Sequence, residues 1–171
     1  VVDMCIKAFK NSKIKINKKI KLIILCTQNP DHNGLPHNSA IIQNKLNLPN
    51  NLAAFDLSQG CAGYLYGLDA IKPFLKKKGD LGLLFTCDPY SKIIKKGDYG
   101  TEILFGDAAT LTIVENSSQK SKNKEIIKSD YYTSGHSYDS IINENGYLKM
   151  NGKNVMNFCS IEVVNFVKSF L

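Results

Sequence analysis

One cysteine in this chain, Cys61, lies where a thiol could act as a nucleophile. The apolar run at 52–57 predicts a buried strand, and a tight Ser-Gln-Gly turn follows it. Apolar residues then recur at helical spacing, at Leu65, Leu68 and Ile71. Cys61 is therefore expected beside the first turn of a helix, where unpaired N–H groups and the positive end of the helix dipole favour the thiolate. The same N–H groups could hold an oxyanion formed at a carbonyl carbon next to the sulfur.

Small residues follow the cysteine, and they predict close packing of this helix. Ala62, Gly63 and Gly67 leave little side chain between the helix and its neighbours. The alternative for Cys61 is a buried structural cysteine, the commonest position of a free thiol. Solvent exposure of Cys61 distinguishes the two interpretations.

Several segments of the chain match one known family in the same order. The segment at 56–68 reads Asp-Leu-Ser-Gln-Gly-Cys-Ala-Gly-Tyr-Leu-Tyr-Gly-Leu, and 100–109 contains Phe105-Gly106-Asp107. Together with 22–31, Leu35-Pro36 and 150–158, they resemble the β-ketoacyl-ACP synthase III family of the thiolase superfamily, where ACP is acyl carrier protein. The resemblance covers nearly the whole chain.

This resemblance implies a 3-oxoacyl-[acyl-carrier-protein] synthase III-like acyltransferase of fatty-acid or related acyl biosynthesis. Cys61 would accept an acyl group from an acyl thioester, and decarboxylative condensation with malonyl-ACP would follow. Covalent catalysis of this kind divides one difficult step into two easier ones. Acyl-CoA and acyl-ACP are the implied substrates, and no cofactor is implied. The implied partners are an acyl carrier protein and a second copy of the chain, since the family forms homodimers.

The resemblance also implies a substrate-binding role for Leu35. It aligns with the tip of a loop that crosses the family's dimer interface and lines the acyl pocket of the other subunit. A simple interface contact is the alternative for Leu35.

The implied fold is α/β, a thiolase-like half forming a single domain over residues 1–171. It has a mixed five-stranded sheet, a buried helix carrying the cysteine, and helices on both faces. The alternation of strands and helices in the sequence supports this fold independently. The resemblance further implies that the strand predicted at 81–87 pairs with the same strand of the second subunit across a two-fold axis. Asp107 is interpreted as structural.

Other elements are predicted from local patterns. Helices are expected at 1–10, at 37–46 with Ala40, Ile41 and Leu46 facing inward, and from 61 towards 78 with a kink or an early end at Pro73. A final helix is expected to begin at Asn151. Strands are expected at 22–26, after Phe105 as far as 114, and more weakly at 125–134, with loops at 115–124 and 135–146.

Parts of the family pattern have no match here. No segment resembles its histidine and asparagine motifs, which bind the malonyl thioester and promote decarboxylation, or its glycine-rich C-terminal segment. The family's first strand and carrier-gripping segment are also unmatched. We interpret the chain as most of the N-terminal half of a longer protein, incomplete at both ends, and we expect this chain alone to be inactive in condensation.

Other functions share this first half. A superfamily relative could pass the acyl group from Cys61 to an alcohol or amine of a sugar or natural product, or make a hydroxymethylglutaryl-type product. A non-catalytic subunit of a dimer is a further alternative, although retention of Cys61 in an intact strand–turn–helix segment argues against it.

Composition limits the remaining classes. The net charge is +7, and all 22 basic residues are lysine, which gives a surface attractive to acidic partners such as an acyl carrier protein. The absence of arginine and of a basic-aromatic stacking pattern disfavours nucleic-acid binding. Five cysteines without a C-x-x-C pair indicate reduced thiols, a cytoplasmic location and no metal site. No apolar run approaches the length of a membrane span.

Overall fold

The computed structural model describes residues 1–15, 19–117 and 125–171. The chain divides into two compact units, each made of two segments. The first unit comprises Val1–Pro89 and Asp107–Ile126, and the second comprises Tyr90–Gly106 and Ile127–Leu171. In the described part of the chain, no helix is both long and apolar enough to cross a membrane.

The first unit is built on a mixed sheet. Its strands are β1 (Ile20–Cys26), β2 (Ala53–Leu57), β3 (Leu81–Asp88) and β4 (Ala108–Glu115). Their order is β2-β1-β3-β4, with β1 parallel to β2 and β3, and β4 antiparallel to β3. The strands predicted at 22–26, 52–57 and 81–87 and the strand after Phe105 are therefore confirmed. The long apolar runs of β1 and β3 occupy the centre, where both faces are covered.

The predicted five-stranded sheet is not confirmed, since this sheet has four strands in the described residues. No strand forms over 125–134, where most side chains are exposed and the weak alternation gives no apolar face to bury. The predicted loop at 135–146 instead contains β5 (Ile141–Glu144), which pairs with β6 (Tyr147–Met150) in the second unit. Asn145-Gly146, both at positive φ, forms the two-residue turn between them. The predicted loop at 115–124 lies mostly outside the described residues.

The predicted pairing of β3 with the same strand of a second copy is wrong, because β3 already has a hydrogen-bonded neighbour on each side. β1 occupies one edge of β3 and β4 the other. Among the described residues, β2 is paired on one side only, with β1. This position at the edge of the sheet explains why β2, predicted as a buried strand, is half-buried throughout.

Helices cover both faces of this sheet, as predicted. On one face, α1 (Val2–Asn11) and α2 (Asn38–Lys45) enclose the larger core, and Val2, Cys5 and Phe9 of α1 are buried as their spacing indicates. On the other face, α3 (Gly63–Ile71) packs through Ile71 on Leu22, Ile24 and Leu84.

The inward face of α2 differs from the prediction. Asn38, Ser39 and Ile42 are buried, together with the predicted Leu46, whereas Ala40 and Ile41 are only half-buried. The reason is a carboxylate on the neighbouring strand. Asp56 of β2 accepts hydrogen bonds from the N–H groups of Asn38 at 2.6 Å and Ser39 at 2.9 Å, which draws the first turn of α2 against the sheet.

The described residues of the second unit form the α-helices α4 (Tyr99–Glu102), α5 (Gly152–Asn157) and α6 (Val164–Phe170), with a π-helical turn (Phe158–Val163) between α5 and α6. The Asn151 side chain caps α5 as predicted, accepting a hydrogen bond from the N–H of Asn154 at 3.1 Å. The N–H of Leu148 donates to the carbonyl of Ile93 at 2.7 Å, which joins the two chain segments of this unit.

Candidate active site

Cys61 lies in the connection between β2 and α3, two residues before the first residue of the helix. The N–H of Gly63 donates to the carbonyl of Gly60 at 2.8 Å, so the chain turns tightly around the cysteine. Cys61 is exposed, whereas Cys5, Cys26 and Cys87 are buried. The alternative of a core cysteine is therefore wrong.

Open backbone N–H groups surround this turn. The N–H groups of Leu65 and Tyr66 donate to the carbonyl of Ala62 at 3.0 and 3.2 Å. Those of Cys61, Ala62 and Tyr64 have no acceptor within the described residues. Such unpaired amides at the start of a helix attract negative charge, whether it is carried by a sulfur or by an oxygen.

The first two turns of α3 approach the sheet closely, as the small residues predict. A Cβ atom on Gly67 would lie 2.5 Å from Cδ1 of Leu84, and one on Gly63 would lie 3.3 Å from Cβ of Cys26. Both glycines are buried, and Ala62 is exposed. Only glycine allows the helix backbone this near to β1 and β3.

The prediction of a buried helix is not confirmed. One side of α3 is buried through Gly63, Gly67 and Ile71. The other side is open in the described residues, where Leu65 is 65% exposed and Tyr64 is 38% exposed. Within the described residues, the helix that follows Cys61 thus packs on the sheet through one side only. Pro73 lies in a 3₁₀ turn (Lys72–Phe74) that ends α3 early, as predicted.

A polar cluster that the sequence analysis missed lies where β1 and β3 end. Oδ1 of Asp88 accepts hydrogen bonds from the backbone N–H of Gln28 at 2.7 Å and the hydroxyl of Thr27 at 3.1 Å. The backbone and side-chain N–H groups of Asn29 also donate to it, at 3.3 and 3.4 Å. Burial raises the pKa of Asp88 above its ordinary value, and these donors oppose the shift.

The Asp88 cluster borders the cysteine turn. The side-chain oxygen of Gln28 lies 2.8 Å from the position that a Cβ on Gly60 would occupy. A sequence signal for the cluster existed, because polar residues at 27–29 follow β1 directly and Asp88 ends β3. The carboxyl ends of parallel strands meet at one edge of a sheet, where α/β proteins place their ligand sites.

An open cavity of about 240 Å³ lies in the first unit, near the carboxyl ends of the parallel strands. It is lined by Thr27, Pro30, Asn33, Gly34, His37, Asp56 and Ser58. Five of the seven lining residues have polar side chains, and Asp56 is already held by the two N–H groups at the start of α2. Within the described residues, no group of three or more His, Cys, Asp or Glu side chains could hold a metal ion.

Leu35 is 85% exposed and is not among the residues that line this cavity. It follows a turn at Asp31–Gly34 whose base is fixed by the buried side chain of Asn38. Oδ1 of Asn38 accepts from the N–H of Asp31 at 2.7 Å, and Nδ2 donates to the carbonyl of Asp31 at 3.0 Å. A fixed base with an exposed apolar tip suits a contact with another molecule. The role of Leu35 in an acyl pocket stays a prediction.

Comparison with known proteins supports one family. The family model described as 3-oxoacyl-[acyl-carrier-protein (ACP)] synthase III matches residues 55–135. The beta-ketoacyl-[acyl-carrier-protein] synthase III of Rickettsia rickettsii (strain Sheila Smith) is 36% identical over 147 residues, covering 85% of this chain and 44% of that protein. The enzyme of the same name from Clostridium botulinum (strain Okra / Type B1) is 30% identical over 165 residues, covering 89% and 50%.

Solved structures show the same similarity. A 3-oxoacyl-(acyl-carrier-protein) synthase III structure superposes with a TM-score of 0.80 at 26% identity, covering 92% of this chain and 54% of that one. The 3-oxoacyl-[acyl-carrier-protein] synthase III of Aquifex aeolicus VF5 gives a TM-score of 0.70 at 29% identity, covering 80% and 44%. The chain spans about half the length of the curated relatives it matches. These similarities confirm the family resemblance predicted from the sequence.

Proposed function

Because this chain resembles the β-ketoacyl-[acyl-carrier-protein] synthase III family in sequence and in fold, we propose that it carries the nucleophile of such an enzyme. Cys61 accepts an acyl group from an acyl thioester, and the acyl group then condenses with malonyl-ACP. The product is a 3-oxoacyl-ACP for fatty-acid or related acyl biosynthesis. The observation that carries this proposal is the exposed Cys61 in a tight turn beside unpaired N–H groups.

The proposed reaction has two steps. In the first, the Cys61 thiolate attacks the thioester carbonyl carbon, and the carrier thiolate leaves as the carbonyl re-forms. In the second, malonyl-ACP loses carbon dioxide, and the electron pair of the broken carbon–carbon bond attacks the acyl carbon on Cys61. The cysteine thiolate is then released. In each step the carbonyl oxygen becomes negative in the tetrahedral intermediate, and nearby N–H groups such as those of Cys61 and Ala62 suit that charge.

The proposed chemistry needs no cofactor beyond the acyl-CoA and acyl-ACP substrates. The histidine and asparagine implied by the family resemblance have no counterpart among these residues. We therefore propose that the 171-residue chain alone does not condense acyl groups. We also propose that the reaction of the full-length protein takes place in the cytoplasm.

A second copy of the chain is the proposed structural partner. In the described residues β2 and β4 are the two edge strands of the sheet, and the edge of β2 is the site we propose for pairing, because β2 leads directly into the turn that carries Cys61. This replaces the pairing through β3 that the family resemblance suggested. An acyl carrier protein is the second proposed partner, since its acidic surface would be drawn to a chain with a net charge of +7.

The test is the mass of the full-length protein after incubation with a panel of acyl-CoA and acyl-ACP thioesters, followed by peptide mapping. We expect one acyl group on the peptide that contains Cys61 and none in Cys61→Ala. Cys159→Ala is the matched control, because Cys159 is the other exposed cysteine. It should keep the adduct. A folded full-length protein that takes no acyl group at Cys61 would favour the non-catalytic subunit instead.

A further inference from the structure

Cys26 contacts α3, the helix that follows the turn containing Cys61. It is the last residue of β1 and is 2% exposed. Its thiol donates a hydrogen bond to the carbonyl of Gly63 in the first turn of α3, with Sγ and the oxygen 3.1 Å apart. This side-chain bond crosses from the sheet to the helix at the end nearest Cys61.

The thiol also occupies the space between sheet and helix. A Cβ on Gly63 would lie 3.5 Å from Sγ of Cys26, and a Cβ on Gly67 would lie 3.4 Å from the same sulfur. The sulfur therefore lies beside two glycines that are one helical turn apart. A smaller side chain at position 26 would leave a gap there, and a larger one would push the helix away from the sheet.

Gly63 connects this contact to Cys61. Its carbonyl accepts from Cys26, and its N–H donates to the carbonyl of Gly60, so it closes the turn that contains Cys61. From these contacts we infer that Cys26 is a positioning residue: by holding Gly63 it fixes the turn that presents Cys61 and its open N–H groups. This inference deepens the proposed function and rests on it for its catalytic meaning.

Cys26 does not compete with Cys61 as a nucleophile. Burial raises the pKa of the Cys26 thiol to about 11, with smaller contributions from the negative charges of Asp88 and Asp56. At neutral pH the thiol keeps its proton, which is the proton that it donates to Gly63. The role of this cysteine therefore depends on its hydrogen bond and its size.

The experiment measures the rate at which iodoacetamide alkylates Cys61 in the 171-residue chain, followed by peptide mass spectrometry. We expect Cys26→Ala to slow this alkylation about threefold or more, as losing one hydrogen bond that orders the turn would do. Cys26→Ser keeps a donor and should restore most of the rate. Cys5→Ala is the control, since it removes a fully buried thiol from the opposite face of the sheet and should leave the rate unchanged.

Two results would overturn the inference. One is a Cys5→Ala variant that changes the alkylation rate of Cys61 as much as Cys26→Ala does. The other is a Cys26→Ser variant in which Cys61 is alkylated as slowly as in Cys26→Ala. If Cys26→Ala does not fold, hydrogen exchange on Cys26→Ser decides. Amides at 63–67 as protected as in the parent chain support the inference, and faster exchange there contradicts it. Alkylation needs no acyl substrate, so failure of acyl transfer at Cys61 would refute the proposed function while this comparison still tests Cys26.

Discussion

Replacing Asp56 by alanine removes the carboxylate that closes the N-terminus of α2. Both of its oxygens accept backbone N–H groups, from Asn38 at 2.6 Å and from Ser39 at 2.9 Å. Both donor residues are fully buried. Asp56 itself lines an open cavity, but the substitution leaves the N–H groups of these two buried residues without a protein acceptor.

The expected loss follows from these two bonds. Removing a side-chain cap from a helix N-terminus costs roughly 0.5–2 kcal/mol. Leaving a buried donor unsatisfied costs about 1–3 kcal/mol. Since these two costs overlap, we expect Asp56→Ala to lower the free energy of unfolding by about 3 kcal/mol. Asp56→Asn keeps one acceptor oxygen and should lose roughly half as much.

Urea denaturation of the 171-residue chain measures this loss. With a slope of about 2 kcal/mol per molar urea, the midpoint for Asp56→Ala should fall by roughly 1.5 M. Hydrogen exchange at residues 38 and 39 should accelerate in parallel. Asp3→Ala is the control, because Asp3 forms a surface ion pair with Lys45 and is 90% exposed, so its removal should change the midpoint far less. Equal midpoints for the two alanine variants would refute this account of how α2 is held.

Two further predictions concern Gly67 of α3 and Asp88 at the end of β3. Gly67→Val should lower the free energy of unfolding by about 3 kcal/mol, because the valine side chain would overlap Leu84. Gly152→Val is the control, since no atom lies near the Cβ position of Gly152. Equal thermal melting midpoints for the two variants would contradict the prediction. Burial raises the pKa of Asp88, so the folded state binds the carboxyl proton of Asp88 more tightly than the unfolded state does. The free energy of unfolding should therefore decline as the pH rises from the ordinary aspartate pKa through the raised pKa of Asp88. Asp88→Asn keeps the accepting oxygen and should remove that decline in urea midpoints; an unchanged pH profile would show that another group is responsible.

Strong local patterns predicted most of the secondary structure. The apolar runs of β1 and β3 and the periodicity of α1 are long enough to override alternatives. Pro73 and Asn151 marked an early helix end and a helix start through their own chemistry. The hairpin of β5 and β6 was missed although Asn145-Gly146 is a strong turn signal, because its flanking strands are short and polar.

The site was predicted less completely than the fold. The position of Cys61 follows from a local strand–turn–helix pattern and from the family resemblance. The roles of Cys26, Asp56 and Asp88 depend on contacts with residues far away in the sequence, such as the bond from Cys26 to Gly63. Side chains that cross between elements in this way leave no periodic pattern, so only the folded chain shows them.

The interleaving of the two units has a consequence for synthesis on the ribosome. The chain leaves the first unit at Pro89, completes residues 90–106 in the second, and returns at Asp107. The sheet therefore cannot gain β4 until a piece of the second unit has already emerged, and the second unit then waits for residues 127–171. No single cleavage of the chain can release either unit whole, so a truncation intended to isolate the Cys61 sheet would have to join two separate pieces of sequence.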